Sequence, residues 1–342
     1  MISLSQRWLK AAYQGSLWLT PLRPLGALYA WVMKRRYQAY ADGKREVWQA
    51  SVPVIVVGNI TLGGTGKSPL TAWLVRWLKA QGYTPGIVTR GYGGKAAQYP
   101  LSVTANTDVT QSGDEPLMLA QQTGVPVIAD PQRARGAKQL VKAGCDVIVS
   151  DDGLQHLALG RDIELALLDG RWGLGNRRCL PAGPLREPVS RLKQVDAVLV
   201  NGTPAQSLPQ HATPMQLVPT TWRHLASGEQ KPLIPLPFSL PVNAIAGIGR
   251  PERFFETLTS LGVNGCWYPF DDHYHFEASS LQFTGQQAAR PLLMTAKDAV
   301  KCRHIAPPDS WALDVEARLP PEFEQWLAER LATLSARRGI DG

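Results

Sequence analysis

The chain has 342 residues, 44% of them hydrophobic and 19% charged, which is enough apolar material for about two globular domains at roughly 100–200 residues each. These proportions exclude a disordered chain and a small disulfide-stapled one, and the 31 glycines and 27 prolines follow no period that would build a fibre or a solenoid. The formal charge of +8 is concentrated at one end: residues 1–50 carry eight basic side chains against two acidic ones, which asks for an anionic partner, nucleic acid or membrane.

Residues 1–45 read as a segment that lies in an interface. Trp8, Tyr13, Trp18, Tyr29, Trp31 and Tyr37 are interleaved with basic residues that culminate in Lys34-Arg35-Arg36. The longest clean apolar run, 25–33, is nine residues, whereas a spanning helix needs about 20, and Pro21, Arg23 and Pro24 stop it extending backwards. No short apolar stretch leads into a small-residue cleavage site either. Aromatic rings at headgroup depth with Lys and Arg facing anionic lipid account for this texture; the competing reading is a basic helix docked on its own domain. No nucleic-acid-binding motif accompanies the charge, so no nucleic-acid partner is expected.

The span 46–205 predicts a nucleotide-binding α/β domain. Residues 52–57 are β-branched and uninterrupted up to Gly58, as in a buried parallel strand. A helix is predicted over 67–79, apolar at Leu70, Leu74, Val75 and Leu78, then strands at 86–89, 125–129 and 146–150. A helix over 131–143 closes on Gly144, and strands follow at 163–168 and 197–200. Strands alternating with helices give a doubly wound parallel sheet. Residues 206–240, rich in Pro and Gln, read as a linker with a few strands. The span 241–342 predicts a second, smaller α/β domain: strands at 243–248, 266–270, 291–295 and 311–315, and helices at 251–261 and 322–337. Cys145, Cys179, Cys266 and Cys302 form no CxxC pair, so they read as incidental thiols.

Thr61-Leu62-Gly63-Gly64-Thr65-Gly66-Lys67-Ser68 joins the first strand to the first helix. Glycines let backbone N–H groups converge on a phosphate, and the helix N-terminus adds its positive end. Lys67 is placed for the β- and γ-phosphates and Ser68 for Mg²⁺. The usual pattern has glycine where Thr61 stands, so Gly63 and Gly64 are expected to carry the bend. Asp151 and Asp152 end an apolar strand where such proteins keep a magnesium carboxylate, and Gln155 and His156 follow into the same crevice. Asp114 in Gly113-Asp114-Glu115-Pro116 reads either as a helix start or as a base for an acceptor hydroxyl. Asp271-Asp272-His273-Tyr274-His275 reads equally as a polar loop or a catalytic one. Arg90-Gly91-Tyr92 and the Arg186-Glu187 loop offer guanidinium donors for a phosphorylated acceptor.

These motifs, together with Thr295-Ala296-Lys297-Asp298, occur in one order along nearly the whole chain, and in this they resemble the tetraacyldisaccharide 4′-kinase family, the lipid A disaccharide kinases of Gram-negative envelopes. The resemblance implies two α/β/α domains with the active site in the cleft between them. It implies transfer of the γ-phosphate of ATP to the 4′-hydroxyl of a tetraacylated glucosamine disaccharide 1-phosphate at the cytoplasmic face of the inner membrane. Lys67 and Ser68 would serve ATP and Mg²⁺, with Glu115 and Asp151 or Asp152 near the metal. Asp114 would be the base, assisted by His273 once the domains close. Arg90, Tyr92, His156, Arg186 and Glu187 would contact the lipid headgroup. The rival readings are an NTP-driven switch or metal chaperone on a related fold, and a soluble small-molecule kinase. A guanine-reading Asn-Lys-x-Asp is not seen; Lys297 and Asp298 are adjacent instead.

Overall fold

A computed structural model describes residues 4–204, 208 and 212–338. The expected boundary at 205/206 lies outside the described residues.

The fold is organised around β1 (Val54–Gly58), whose five residues are all buried because both faces of the strand are covered. It pairs in parallel with β5 (Val147–Asp151) on one side and β6 (Ile163–Asp169) on the other, and Val57 lies opposite Asp151. Beyond β5 come β2 (Pro85–Thr89) and β4 (Val127–Ala129), also parallel, then the short antiparallel β3 (Leu101–Val103), which the sequence pattern did not reveal. Beyond β6 comes β7 (Ala197–Asn201). This register brings the ends of β1, β5, β6 and β7 to one edge, where an open α/β sheet binds ligands.

The predicted linker holds the most consequential element. The 13-residue strand β8 (Ala212–His224) runs parallel to β7 through Met215, then continues antiparallel to β13 (Ser310–Arg318), with the short β9 (Gln230–Pro232) on its other edge. From β13 the sheet passes to β12 (Leu292–Thr295), β10 (Val242–Ala246) and β11 (Gly265–Pro269). The result is one 13-stranded sheet through both lobes.

Helices cover the faces. Helices α3 (Lys67–Ala80) and, after the short α4 (Val109–Ser112), α5 (Asp114–Thr123) bury Leu70, Leu74, Leu78 and Leu119 against Ile55 and Val57. On the opposite face α6 (Arg133–Lys142) comes close because Gly136 has no side chain; a Cβ there would sit 2.9 Å from Val88. Helix α7 (Pro251–Ser260) covers the second lobe with Phe254, Phe255 and Leu258, and α8 (Ala296–Cys302) follows β12 directly. The last helix, α9 (Pro321–Arg338), was assigned by sequence to the second domain, yet it packs Phe323, Leu327 and Leu331 into the first-lobe core beside Trp73. Spacing of four residues puts all three on one face, and α3 supplies the apolar partner.

At the amino end, α1 (Leu4–Gln14), a 3₁₀ turn at Leu17–Leu22 and α2 (Arg23–Ala41) wrap the first lobe. Gly26 seats α2 against the 179–182 turn, since a Cβ there would lie 2.8 Å from the Cys179 carbonyl. Among the described residues no helix is long and apolar enough to cross a membrane.

Trp222 in β8 is fully buried against Phe238 and Trp311, and its indole N–H donates to the Leu233 carbonyl at 3.3 Å. Trp222→Ala should therefore cost about 3–5 kcal/mol, read as a lower urea midpoint of unfolding.

Candidate active site

The turn after β1 is built on glycines and opens α3. Gly63 and Gly66 take left-handed backbone, with φ of +101° and +99°; Gly64, expected to share the bend with Gly63, does not, and Thr61 needs no such conformation. Neighbouring chain fixes the turn: Leu62 N–H donates to the Pro184 carbonyl at 2.8 Å, and Arg186 N–H to the Ile60 carbonyl at 2.7 Å. Asn201, at the end of β7, donates to the Thr65 carbonyl at 2.8 Å, and a Cβ on Gly66 would press to 2.7 Å from the same amide. Ser68 is buried in the first turn of α3. Lys67 Nζ rests 3.3 Å from Asn59 Oδ1 and 3.6 Å from Asp152 Oδ1.

The two strand-end aspartates differ sharply. Asp151 accepts from Thr71 Oγ1 at 2.7 Å, while its second oxygen is buried without a partner. Burial, joined by the charge of Glu115, pushes its pKa up to about 6. Asp152 sits in left-handed backbone, φ +48°, and both its oxygens accept from Arg186 Nη1 at 3.0 Å. Burial opposes ionisation there, but Lys67 and Arg186 prevail and hold the carboxyl well below the usual carboxylate range. His156 stands beside them with its pKa pushed down to about 3 by burial and by Arg133 and Arg90, so its ring is neutral at pH 7. Gln155 donates to Asn59 O at 3.2 Å and to Glu187.

Of the expected metal set Ser68, Glu115, Asp151 and Asp152, two members are engaged by cations: Asp152 by Arg186 and Lys67, and Glu115 by Lys297 at 3.1 Å. No cluster of three or more His, Cys, Asp or Glu side chains arranged for a metal occurs among the described residues. The unpartnered oxygen of Asp151, whose other oxygen is bonded to Thr71 of α3, and the Ser68 hydroxyl in the first turn of that helix are oxygen donors of the kind a hard cation takes.

Across the cleft, Asp114 is the first residue of α5, after Gly113 at φ +83°. His273, in left-handed backbone at φ +58°, brings Nδ1 to 3.0 and 3.2 Å from its two oxygens. In this structure His273 and Asp114 are in contact, the 271–273 loop reaching the start of α5. Lys297 Nζ lies 3.1 Å from Glu115, 3.3 Å from Asp272 and 3.3 Å from His273 Nε2. Burial works against the Lys297 charge, but Glu115, Asp114 and Asp272 outweigh it and raise its pKa. The sequence pattern gave Lys297 no role. Its placement follows from Thr295, whose side chain accepts from Asp298 N–H and starts α8 one residue before the lysine.

Burial alone would raise Asp114, but the His273 hydrogen bond and Lys297 reverse this and lower its pKa. Burial would lower His273, and the bond to Asp114 raises it instead. Lowered acid and raised base bracket a window in which the pair is charged. Its contribution to holding the lobes together fades as pH falls through the depressed Asp114 value, and again as pH rises through the elevated His273 value. An NMR titration should place His273 above 6.5 in the parent protein, and lower in Asp114→Asn.

One cavity of about 920 Å³ is lined by the phosphate turn, by Arg90, Tyr92 and His156, by Tyr29 and Arg36 of α2, and by Asp272, His273 and Lys297 of the second lobe, while Asp114 and Asp151 are buried and lie outside its lining. Tyr92 packs against His273 with ring centroids 4.9 Å apart. Arg133, which sequence left unassigned, is buried and donates to the Asp151 carbonyl at 2.8 Å. Glu187 lies just outside the cavity lining and reaches it through Gln155.

A glycine-rich phosphate turn opening a helix, faced by a carboxylate–imidazole pair across a two-lobed cleft, defines a nucleotide-dependent phosphotransferase of P-loop type. Comparison with known proteins carries this further. The family LpxK, tetraacyldisaccharide-1-P 4′-kinase, matches residues 18–332, and the chain belongs to that family. It is 47% identical over 336 residues to the tetraacyldisaccharide 4′-kinase of Azotobacter vinelandii, covering 98% of this chain and 99% of that one. The Pseudomonas aeruginosa PAO1 protein of the same name is 46% identical over 337 residues, 98% of this chain and 100% of its own. Among solved structures, the "apo" form of LpxK from Aquifex aeolicus in complex with ATP superposes with a TM-score of 0.76 at 27% identity, over 92% of this chain and all of that one.

Proposed function

We propose that this enzyme transfers the γ-phosphate of ATP to the 4′-hydroxyl of a tetraacylated glucosamine disaccharide 1-phosphate, with lobes 46–205 and 241–318 forming the cleft. The observation that carries this reading is the Asp114–His273 pair, whose imidazole lines the same cavity as the phosphate turn in a member of this family. ATP lays its phosphates on the N–H groups of residues 63–68, and Lys67 exchanges Asn59 and Asp152 for phosphate oxygens. Asp114 accepts the proton of the acceptor hydroxyl on a carboxylate oxygen, and His273 Nδ1–H fixes the orientation of that carboxylate. Lys297 keeps Glu115 and Asp272 neutralised beside the incoming phosphates. Arg90, Tyr92, His156 and Arg186, with Glu187 behind them, position the phosphorylated sugar. Mg²⁺, held by Ser68 and Asp151 with Glu115 and Asp152 nearby, would neutralise charge on the transferring group.

The acceptor is a lipid, and the amino end suits a peripheral place on an anionic inner-membrane surface at its cytoplasmic face. Leu4, Leu17, Trp18, Leu25, Leu28 and Trp31 are all exposed there, beside Lys34 and Arg35. A switch or chaperone would consume ATP without this acceptor, so label appearing in a lipid monoester separates the readings.

With purified protein, labelled ATP and the lipid precursor, Asp114→Ala should lower kcat by about 10²–10⁴-fold while ATP affinity stays within twofold, roughly. Lys67→Ala should abolish transfer, and full activity in either variant overturns the assignment. Lys34→Ala and Arg35→Ala should each weaken binding to anionic vesicles about fivefold at low salt, as measured by flotation, and less at high salt.

A further inference from the structure

The first half of the phosphate turn is held from outside. Thr61 stands where a glycine is usual, and the Leu62–Gly64 stretch that makes the bend instead touches chain from two distant places. Tyr13 of α1 donates its hydroxyl to the Leu62 carbonyl at 2.5 Å. A Cβ on Gly63 would lie 3.8 Å from Leu9 Cδ2, again of α1. From the second lobe Gly249 approaches so closely that a Cβ there would lie 2.9 Å from Gly64 N.

Tyr13 is itself firmly placed. It is 8% exposed and meets Trp172 edge-on with centroids 4.8 Å apart, and the Arg250 guanidinium lies 5.0 Å over Trp172 and 5.8 Å over Tyr13. Next to it, the Ala12 carbonyl accepts from Asn176 N–H at 3.3 Å. The opposite side of the same segment is wet and apolar: Leu4 is 84% exposed, Leu17 85% and Trp18 59%. An 11-residue helix is marginal by itself, so its docking equilibrium responds to whatever covers those outer side chains.

We propose that Tyr13 is a positioning residue of the phosphate turn, and that through it the seating of the amino-terminal segment on an anionic lipid surface tightens ATP binding. The second half rests on the membrane reading above. A surface that covers the outer face of α1 favours the docked state, in which the Tyr13 hydroxyl holds the Leu62 carbonyl away from the incoming phosphates. The coupling is reciprocal, so ATP tightens vesicle binding by the same factor.

The experiment uses the full chain and measures ATP affinity calorimetrically, alone and with phosphatidylglycerol or phosphatidylcholine vesicles, with flotation in parallel. The parent protein should float with phosphatidylglycerol and bind ATP several-fold more tightly there than in solution. Tyr13→Phe loses one hydroxyl and no packing; it should bind ATP about fivefold more weakly without vesicles, still float, and show no vesicle gain. It should raise KM for ATP and leave kcat at saturating ATP alone, a split that general destabilisation does not produce. Leu9→Ala, which thins the contact with Gly63, should shift ATP affinity in the same direction. Leu17→Ser with Trp18→Ser should keep the vesicle-free affinity and lose both flotation and gain. A parent protein that floats with unchanged ATP affinity overturns the coupling. A Tyr13→Phe protein that binds ATP like the parent overturns the positioning role. Failure of the parent to float overturns the membrane reading and the coupling with it, and the vesicle-free affinity of Tyr13→Phe then decides the positioning role separately.

Discussion

Everything in the cleft depends on one short glycine turn being held in a single shape. A turn with two left-handed glycines has few contacts of its own, so its shape is imposed by neighbours: Pro184 and Arg186 on one flank, Asn201 at Thr65, and Tyr13 at Leu62. Asn201 is itself gripped by Arg253 of α7 at 2.9 Å, and Arg253 also reaches Asp169 at 3.2 Å. Asp169 and Asn201 are paired residues at the ends of β6 and β7, so the second lobe holds the first where the strands finish. Backbone order at the phosphate site is thus a property of the whole assembly.

The charges follow a related logic. Lys67 lies against Asp152, which Arg186 also holds, and Lys297 is surrounded by Asp114, Glu115 and Asp272. Lys67 and Lys297 thus each have a carboxylate of the protein within reach, so neither charge is left uncompensated in a half-buried cleft.

Much of this was legible in the residues. The strand, glycine turn and helix from β1 to α3 are one local pattern, and their boundaries fall within about two residues of expectation. Asp151 and Asp152 were legible as a strand end but not as unequal partners, because Arg186 and Thr71 come from other elements. The residues around Asp114 suggested a helix start, and it is one; what turns it toward chemistry is His273, 159 positions away, which only the family resemblance supplied. Lys297 lies on a seven-residue helix too short to show a period. The strand β8 hid behind Pro214 and Pro219 and a mostly half-buried pattern with no clean alternation, since it serves as seam between lobes and faces no single core. A periodic apolar stripe identifies α9 as a helix but cannot name the lobe it lands on.

That seam constrains how the molecule moves. Two lobes tied by a flexible tether can swing freely, but these share hydrogen-bonded strands from β7 through β8 to β13. The ladder is interrupted at one place, where the register shifts between Asp314 and Val315 opposite Pro219, a residue with no N–H to give. The two lobes are therefore joined by a continuous seam of paired strands, irregular at a single step, and any change in the angle between them has to be taken up by that seam.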